Sequence, residues 1–383
     1  MIVIKNGLVH DGINPEAKVR DIAIENGKFV EASDQAAQVI DASGKEIYPG
    51  LIDAHCHLGL DGYGIGFEGQ DYNEMNDIVA PHLRGLDSYN PLDPTILQAA
   101  KGGVTCVCTG PGSANVLGGT FIAVKPNGAH RVEDALVKND VAMKCAFGEN
   151  PKRVYRDKNN YARMSTAAKL REMLNKTFEY KAKKDAAGND ISKQPAYDMK
   201  LEALIPVIER KIPLKAHAHQ ANDIFTAIRI AEEFNVKLTL EHVTEGHLIV
   251  DELKKVKVPM AVGPSLTHAS KFELQNKSFT TPGILAAAGC QVSIITDSPV
   301  IPQQYLAMCA GLAIKSGMDE FAALQAVTIN PAKHIGIEER VGSIEIGKDA
   351  DLIITNGSPF KLETQIEQVY INGQLMNFDC VES

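Results

Sequence analysis

The middle of this 383-residue chain is built from eight short apolar segments that alternate with stretches of helical character. Each crossover through a helix returns the chain to the same edge of a sheet, so the alternation predicts parallel strands. Eight strands are the number that closes a (β/α)8 barrel of the TIM type. The sequence therefore predicts an α/β fold whose barrel strands span residues 51–58, 104–109, 120–124, 141–147, 213–219, 237–242, 258–262 and 292–296.

The two ends of the chain follow a different pattern, in which β-rich runs flank Asn-Gly turns. Examples are IVIKNGLVHDG at the start and EQVYINGQLMNF near the end. Asn-Gly is a strong hairpin signal because both residues tolerate positive φ. We expect residues 1–50 and 340–383 to pair into one small composite β-sandwich domain, with the barrel domain at residues 51–339.

A polar stretch rich in Lys and Asn, around residues 155–199, interrupts the regular pattern. It is much longer than an ordinary connection between a strand and a helix. One interpretation is a helical insertion with an exposed loop above the mouth of the barrel, where loops select the substrate. The other is a solvated surface excursion without a role in function.

Composition and charge narrow the classes of function. The formal net charge of −9 leaves no basic excess for phosphate groups, which argues against nucleic acid or an anionic membrane as a partner. The seven cysteines are odd in number and scattered, so no disulfide framework is expected. No apolar run reaches the roughly 18 residues of a membrane span. We therefore expect a cytoplasmic homo-oligomer that acts on a small molecule.

The stretch PGLIDAHCHLGL ends a predicted buried strand with two histidines, His55 and His57. Residues i and i+2 of a strand point to the same face, so the two imidazoles lie side by side and suit a metal ion. Barrel active sites form at the carboxyl ends of the strands. Residue types that can serve a metal also end later strands, namely Lys144, His217, His219, His242 and Asp297. This convergence predicts a metal centre at the mouth of the barrel.

Five motifs, PGLIDAHCH, LKAHAHQAND, LTLEHVTEG, ITDSP and VGSIEIGKDADLII, resemble the amidohydrolase superfamily and most of all its imidazolonepropionase-like branch. The resemblance covers essentially the whole chain. It implies a metal at the mouth of the barrel that serves to hydrolyse amides or related C–N bonds. The metal ligands that it implies are His55, His57, His217, His242 and Asp297.

The resemblance also implies further roles. His242 either binds a second metal or polarises the substrate carbonyl, and Asp297 moves the proton during catalysis. His219 and Gln220 are expected to contact the substrate. Imidazolonepropionases carry a glutamate where this chain has Gln220, and this departure argues against imidazolone ring opening as the reaction.

Lys144 lies in the apolar run VAMKCAFGENPK. Burial disfavours the charged ammonium, so its pKa is expected to fall and the neutral amine to be populated. A neutral amine can take up carbon dioxide, and the carbamate would bridge two metals as in binuclear members of the superfamily. Alternatively, the site is mononuclear and Lys144 binds a substrate carboxylate or phosphate. Lys125, in FIAVKPNG, is a weaker candidate for the carbamate.

Several other residues are candidates for substrate binding. Arg153 follows the fourth predicted strand, His82 and Arg84 lie in APHLRGLD, and His268 lies in GPSLTHAS. Together they would place positive charge and a pocket residue at the barrel mouth, although charged runs are more often plain solvated faces. The sequence leaves open whether the small-molecule substrate is anionic.

The predicted function is that of a metal-dependent hydrolase of a C–N bond in an amide, dipeptide, N-acyl compound or cyclic amide. A divalent ion lowers the pKa of water from about 16 to about 7 and so supplies hydroxide at neutral pH. Zinc suits imidazole and carboxylate ligands best, iron or manganese would also fit, and one or two ions are expected. The alternative is a deaminase of an aminated heterocycle. A catalytically inactive scaffold would lack metal ligands, whereas this chain has the full set.

Overall fold

The computed structural model of the chain describes residues 1–32, 36–62, 66–379 and 381. Its strands, in chain order, are β1 Ile2–Lys5, β2 Leu8–Val9, β3 Lys18–Val19, β4 Ile22–Glu25, β5 Lys28–Val30, β6 Gln38–Asp41, β7 Glu46–Pro49, β8 Leu51–Cys56, β9 Val104–Thr109, β10 Leu117–Val124, β11 Leu136–Ala146, β12 Leu214–Ala218, β13 Leu238–His242, β14 Met260–Val262, β15 Val292–Ile294, β16 Leu352–Thr355, β17 Ile366–Ile371 and β18 Gln374–Leu375. Its α-helices are α1 Gly85–Ser88, α2 Pro94–Lys101, α3 Val132–Ala135, α4 Glu149–Val154, α5 Arg163–Ala187, α6 Met199–Ile208, α7 Ala221–Glu233, α8 Val250–Leu253, α9 Thr281–Ala287, α10 Leu306–Lys315, α11 Glu320–Ala326 and α12 Ile329–Ile335.

Strands β8 to β15 form one eight-stranded sheet in which the strands follow each other in chain order. The first and last of these strands meet, because the backbone N–H of Thr296, just after β15, donates to the Asp53 carboxylate on β8 at 3.0 Å. The N–H of His57 also donates to the carbonyl of Ser298 at 2.8 Å. The sheet is thus a nearly closed barrel with helices packed on its outside. The predicted (β/α)8 barrel is confirmed.

The third barrel strand, β10, runs against its neighbours. It pairs antiparallel with β9 and β11, whereas the other ladders of the barrel are parallel. Only residues 110–116 join β9 to β10, and a parallel crossover needs about a dozen residues or more. The expectation of parallel strands throughout was therefore wrong at this strand.

The reversed direction of β10 determines the position of Lys125, which directly follows that strand. Lys125 lies at the base of the barrel, where the parallel strands begin, and not at the mouth, where they end. Its Nζ is 2.9 Å from an oxygen of Asp349 and 2.7 Å from an oxygen of Asp351. A lysine bound to two carboxylates at the base cannot serve the metal centre, so Lys125 is removed as a carbamate candidate.

The strands from the two chain ends build two further sheets. The six-stranded sheet has the order β18-β17-β16-β7-β2-β3, so it joins strands from the start and the end of the chain. The four-stranded sheet has the order β5-β4-β1-β6. One apolar cluster contains Ile4 and Phe29 from the smaller sheet together with Ile47 and Tyr370 from the larger. The two sheets therefore share a core, and the domain limits at residues 50 and 340 stay a prediction.

Residues 155–199 contain the longest helix of the described chain, α5. Its Leu170 and Leu174 belong to the same apolar cluster as Ile224 of α7. Arg163, at the start of α5, lies 3.0 Å from Asp223 of α7. The segment is helical as predicted, but α5 packs on the outer helices and does not line the cavity at the mouth.

Two simpler expectations concern cysteines and membrane spans. The six cysteines in the described part of the chain are all unpaired. Among the helices that the structure describes, none combines the length and the apolar composition needed to cross a bilayer.

Candidate metal centre

The mouth of the barrel brings together three predicted ligands from the two strands that close it. His55 is on β8, His57 follows that strand, and Asp297 follows β15. Oδ1 of Asp297 lies 3.4 Å from Nε2 of His55 and 3.3 Å from Nε2 of His57. The ligand atoms of these residues, the first group, lie within 4.8 Å of one another. This spacing is compact enough for one metal ion.

The hydrogen positions in the first group leave its facing atoms without a proton. Nδ1 of His57 is 2.7 Å from the carbonyl of Gly110, which can only accept, so Nδ1 carries the hydrogen and Nε2 presents a lone pair. Nδ1 of His55 lies 3.4 Å from the Glu241 carboxylate without forming a hydrogen bond, and the negative charge there favours the same tautomer. Oδ1 of Asp297 has no hydrogen-bond partner among the described residues. Lone pairs that converge in this way need a cation, so the first group fits a divalent metal ion.

A second group lies on the neighbouring strands and consists of His217 on β12, His219 just after it and His242 at the end of β13. Their ring centroids are 4.4 to 4.6 Å apart, and their ligand atoms lie within 4.8 Å of one another. Both ring nitrogens of His217 are buried without a hydrogen-bond partner in the described part of the chain. His219, which sequence reasoning assigned to the substrate, thus lies among potential metal ligands.

The backbone at two of these residues has an uncommon conformation. φ is 74° at His242 and 54° at Asp297, in the left-handed region that residues other than glycine adopt at a cost of about 1–3 kcal/mol. In a regular strand, Glu241 and His242 would face opposite sides. The left-handed turn at the strand end instead brings both side chains toward the barrel interior.

Burial sets the charge of the site. It lowers the pKa of His55, His217 and His219 well below the ordinary value, and it lowers the pKa of His242 to about 4. Burial alone would raise the pKa of Asp297, but the neighbouring histidines hold it well below its usual range. At neutral pH these side chains are therefore neutral imidazoles and a carboxylate, the forms that bind metal ions.

Lys144 on β11 lies against the first group. Its side chain is fully buried, and its Nζ is 3.3 Å from Nε2 of His55. Burial lowers the pKa of Lys144 to about 8, although two buried carboxylates oppose this effect. Its positive charge lowers the pKa of His55 in the first group and of His217 and His242 in the second. Lys144 therefore contacts the first group, and its charge is felt by the second.

Three buried residues lie beneath the first group, namely Lys215, Glu241 and His334. Sequence reasoning missed all three. Oε2 of Glu241 is 2.9 Å from Nζ of Lys215, and its Oε1 is 2.9 Å from Nε2 of His334. Burial alone would raise the pKa of Glu241, but Lys215 and His334 hold it well below its usual range. Glu241 is thus an anion that orients His55. The alternation of Lys215 with His217 in LKAHAH was a usable signal, since both face the interior.

Glu273 is a second carboxylate that the sequence did not reveal. It is fully buried, and its Oε1 lies 3.6 Å from Nε2 of both His217 and His219. The same oxygen is 2.6 Å from Nζ of Lys271. Glu273 lies on the long connection after β14, outside any strand, so no periodic pattern pointed to it.

A cavity of about 500 Å³ leads to the two groups from the mouth of the barrel. His57, His217, His219 and Asp297 form part of its wall. Arg153 and Lys271 give the wall positive charge, and Asn150 adds an amide. Of the residues predicted to bind substrate, the structure therefore brings Arg153 and His219 to the cavity.

His82 and Arg84 do not reach this cavity. The segment that carries them bridges to β10 in the parallel direction, at Val79 with Leu117 and at Arg84 with Thr120, so it runs away from the mouth. The guanidinium of Arg84 is exposed and lies 2.7 Å from an oxygen of Asp87. The assignment of these two residues to the substrate was wrong because β10 runs in the reverse direction.

Gln220 and His268 also lie outside the cavity wall. Oε1 of Gln220 accepts a hydrogen bond from the guanidinium of Arg163 on α5, which turns the amide away from the metal groups. His268 is exposed on the connection after β14, although its neighbour Thr267 does line the cavity. The structure therefore does not bring either residue to the position that was predicted for it.

The chain is thus an eight-stranded barrel with imidazole and carboxylate groups at its mouth, the end at which barrel enzymes carry their active sites. Comparison with known proteins gives the family: the model of the amidohydrolase family matches residues 47–376, so the chain belongs to that family. The crystal structure of an amidohydrolase from Thermotoga maritima MSB8 aligns with a TM-score of 0.95 and 40% identity, over 98% of this chain and 100% of that one.

Two curated relatives place the chain more closely. The amidohydrolase tasK of Hapsidospora irregularis is 26% identical over 92% of this chain. An imidazolonepropionase of Thermoplasma volcanium is 30% identical over 43% of this chain. The alignments cover 39% and 41% of the lengths of those two proteins. The predicted family and its imidazolonepropionase-like branch are confirmed.

Proposed function

We propose that this protein is a metal-dependent hydrolase of a C–N bond in a small molecule, such as an amide, a dipeptide, an N-acyl compound or a cyclic amide. One observation carries the proposal: Nε2 of His55 and of His57 converge on Oδ1 of Asp297, which is buried without a hydrogen-bond partner among the described residues. A bound divalent ion, with zinc the best match to these ligands, would polarise the substrate carbonyl and make a water molecule acidic.

The residues of the chain supply the remaining parts of the reaction. Asp297, which lines the cavity, accepts the proton of the attacking water and returns it to the leaving nitrogen. Nδ1 of His242 lies 2.8 Å from the carbonyl of Gly263, so Nε2 carries no hydrogen and cannot donate to an oxyanion. His242 is therefore better suited to bind a second metal than to polarise the carbonyl itself.

The cavity wall favours a substrate that carries an anionic group. Arg153 and Lys271 are the cationic side chains of the wall, while its carboxylate, Asp297, belongs to the metal groups. Asn150 holds the two cations in place, since its Oδ1 accepts from Lys271 at 3.1 Å and from Arg153 at 3.5 Å. N-acyl amino acids and dipeptides, with one free carboxylate, match this arrangement.

Metal analysis of the purified protein, combined with a hydrolysis screen, tests the proposal. We expect about one or two zinc, iron or manganese ions per chain, and activity that a chelator removes and the metal restores. The screen covers N-acyl amino acids, dipeptides, cyclic ureides and aminated heterocycles. Ammonia release from the heterocycles alone would identify a deaminase, and full activity of metal-free protein would overturn the mechanism.

We further propose that Lys144 is carbamylated and bridges two metal ions. The support is its full burial, a pKa near 8 that populates the neutral amine, and its influence on His55 and His217 in different groups. Carbon dioxide adds to the neutral amine, and the proton that is released passes to solvent. The resulting carbamate would offer one oxygen to each group.

Lys144→Ala tests the carbamate. The metal content should fall from about two ions to one or less per chain, and short carboxylic acids should restore part of the activity by replacing the carbamate oxygens. Lys125→Ala is a matched control, because it removes another buried lysine at the base of the barrel, away from the metal groups. A wild type with one metal ion, retained in Lys144→Ala while affinity for anionic substrates falls, would show instead that Lys144 anchors the substrate.

A further inference from the structure

The base of the barrel has a cavity of its own, about 650 Å³ in volume, on the side opposite to the metal groups. Its walls come from the residues that lead into the strands, such as Pro213 before β12, Lys237 before β13 and Pro259 before β14. Seven basic side chains and one acidic side chain, Glu232, line it. The basic ones are Lys138, Arg210, Lys211, Lys237, Lys255, Lys257 and Lys333. A chain with a net charge of −9 thus concentrates positive charge in one hollow.

Two of the basic side chains neutralise backbone carbonyls that would otherwise repel an anion. Nζ of Lys138 donates to the carbonyls of Ile335 and Gly336 at the end of α12, at 3.2 and 3.1 Å. Arg210 donates to the carbonyl of Asn235 at 2.8 Å. The negative end of α12 is therefore covered, and the field in the cavity stays positive.

Four of the remaining lysines keep their charge available. Within the described part of the chain, no carboxylate lies within 4.0 Å of the Nζ of Lys237, Lys255, Lys257 or Lys333. All four side chains are exposed. An ordinary solvated face would mix acidic residues among such lysines, as α5 does with its Lys176–Glu172 pair at 2.6 Å.

His334 also belongs to the cavity wall. Its side chain is buried and its Nε2 faces the Glu241 carboxylate at 2.9 Å, so the ring offers no accessible group to a ligand.

We infer that this basal cavity binds a small multivalent anion. The four lysines supply the charge, and a hollow of about 650 Å³ has the size of a compact ligand. Both a polycarboxylate and a sugar phosphate have this chemistry. The site is distinct from the metal centre because it lies at the opposite end of the strands, and it does not depend on the proposed hydrolysis.

Isothermal titration calorimetry on the full chain tests the inference with citrate and with fructose 1,6-bisphosphate. The test variant is Lys237→Glu/Lys257→Glu. The control, Lys183→Glu/Lys315→Glu, makes the same charge change at exposed lysines outside the cavity. We expect citrate or the bisphosphate to bind, the test variant to bind it at least about 10-fold more weakly, and the control to bind like the wild type.

Each other result has a definite meaning. Equal loss in test and control variants would show a general charge effect and overturn the site. A test variant that binds both anions as tightly as the wild type does would also overturn the site. Tighter binding of a 20-nucleotide single strand than of any small anion, or a change of oligomeric state in the test variant on size exclusion, would overturn the small-ligand assignment in favour of nucleic acid or a second copy of the chain.

Discussion

The two ends of the barrel handle charge in opposite ways. At the mouth, the ionisable side chains are buried, and burial drives His242 to a pKa of about 4 and Lys144 to about 8. At the base, lysines such as Lys237 and Lys257 are exposed. Desolvation removes protons from the bases at the mouth, so they become ligands, whereas the basal lysines stay in contact with water.

The direction of the strands explains why the metal ligands lie at the mouth and the exposed lysines at the base. The parallel strands end at the mouth, where the loops that follow them cover their last residues. Their first residues reach the base, where short connections leave side chains in solvent. Glu241 joins the two regions, because it contacts His55 of the metal centre at 3.4 Å and His334 of the basal cavity at 2.9 Å.

Asp297→Asn tests most directly whether the mouth of the barrel carries out the reaction. The shape of the side chain is kept but it can no longer accept the proton, so kcat should fall by about 10²-fold or more. The measurement is steady-state turnover on the substrate found by the screen. Asp87→Asn, the same change at an exposed carboxylate that binds Arg84, is the control and should retain wild-type turnover. A normal rate for Asp297→Asn would show that the mouth does not perform the chemistry.

Glu241→Gln tests the residue that links the two ends. Loss of the partner of a metal-binding histidine should weaken metal affinity about 10- to 100-fold, measured by competition with a chelator. The metal-free protein should also lose about 3–5 kcal/mol of stability in urea unfolding, because Lys215 keeps a buried charge without its anion.

The double variant Glu241→Gln/Lys215→Met separates these two effects. It removes both charges, so most of the stability should return while the metal affinity stays low. Recovery of the metal affinity as well would show that Glu241 merely neutralises Lys215 and does not orient His55.

The barrel and most of its ligands were predictable, because strand and helix periodicities are local and strand ends share one edge. His55, His57, His217 and Asp297 all lie where a strand-end argument places them. The reversed strand β10 was not predictable from periodicity, since a strand has the same alternation in both directions. That single reversal accounts for the wrong placement of His82 and Arg84, and for the exclusion of Lys125.

The missed residues have a different cause. Glu241 precedes His242 and would point away from it in a regular strand, so only the positive φ of His242 shows that both face inward. Glu273 lies outside the strands and reaches the second group through the fold of a long connection. Residues of this kind are fixed by tertiary contacts, which single-chain periodicity does not encode.

The pH dependence of the free energy of unfolding of the metal-free protein tests whether the histidines at the mouth are neutral. The pKa of His242 is lowered from 6.5 to about 4 by burial, so between these values the unfolded chain binds a proton that the native state does not. Stability should therefore fall as the pH decreases from about 6.5 to about 4, by about 3 kcal/mol for His242 alone. Urea unfolding of chelator-treated protein at pH 7 and pH 5 measures about 2 kcal/mol of this loss, because pH 5 still lies above the native pKa of His242. A stability that rises toward pH 5 would mean that the native mouth holds protonated histidines.

The smallest expected kinetic effects distinguish Arg153 from Arg84, both of which were predicted from the sequence to bind the substrate. Arg153 lines the cavity, so Arg153→Ala should raise KM for an anionic substrate by about 10-fold with little change in kcat, because a distant anchor binds the ground state and the transition state equally. Arg84 is half exposed and bound to Asp87, so Arg84→Ala should change kcat and KM by less than about 2-fold. Uncharged analogues of the substrate provide the control, since neither variant should alter their kinetics. A larger effect at Arg84 than at Arg153 would mean that the segment beside β10 moves toward the mouth when substrate binds.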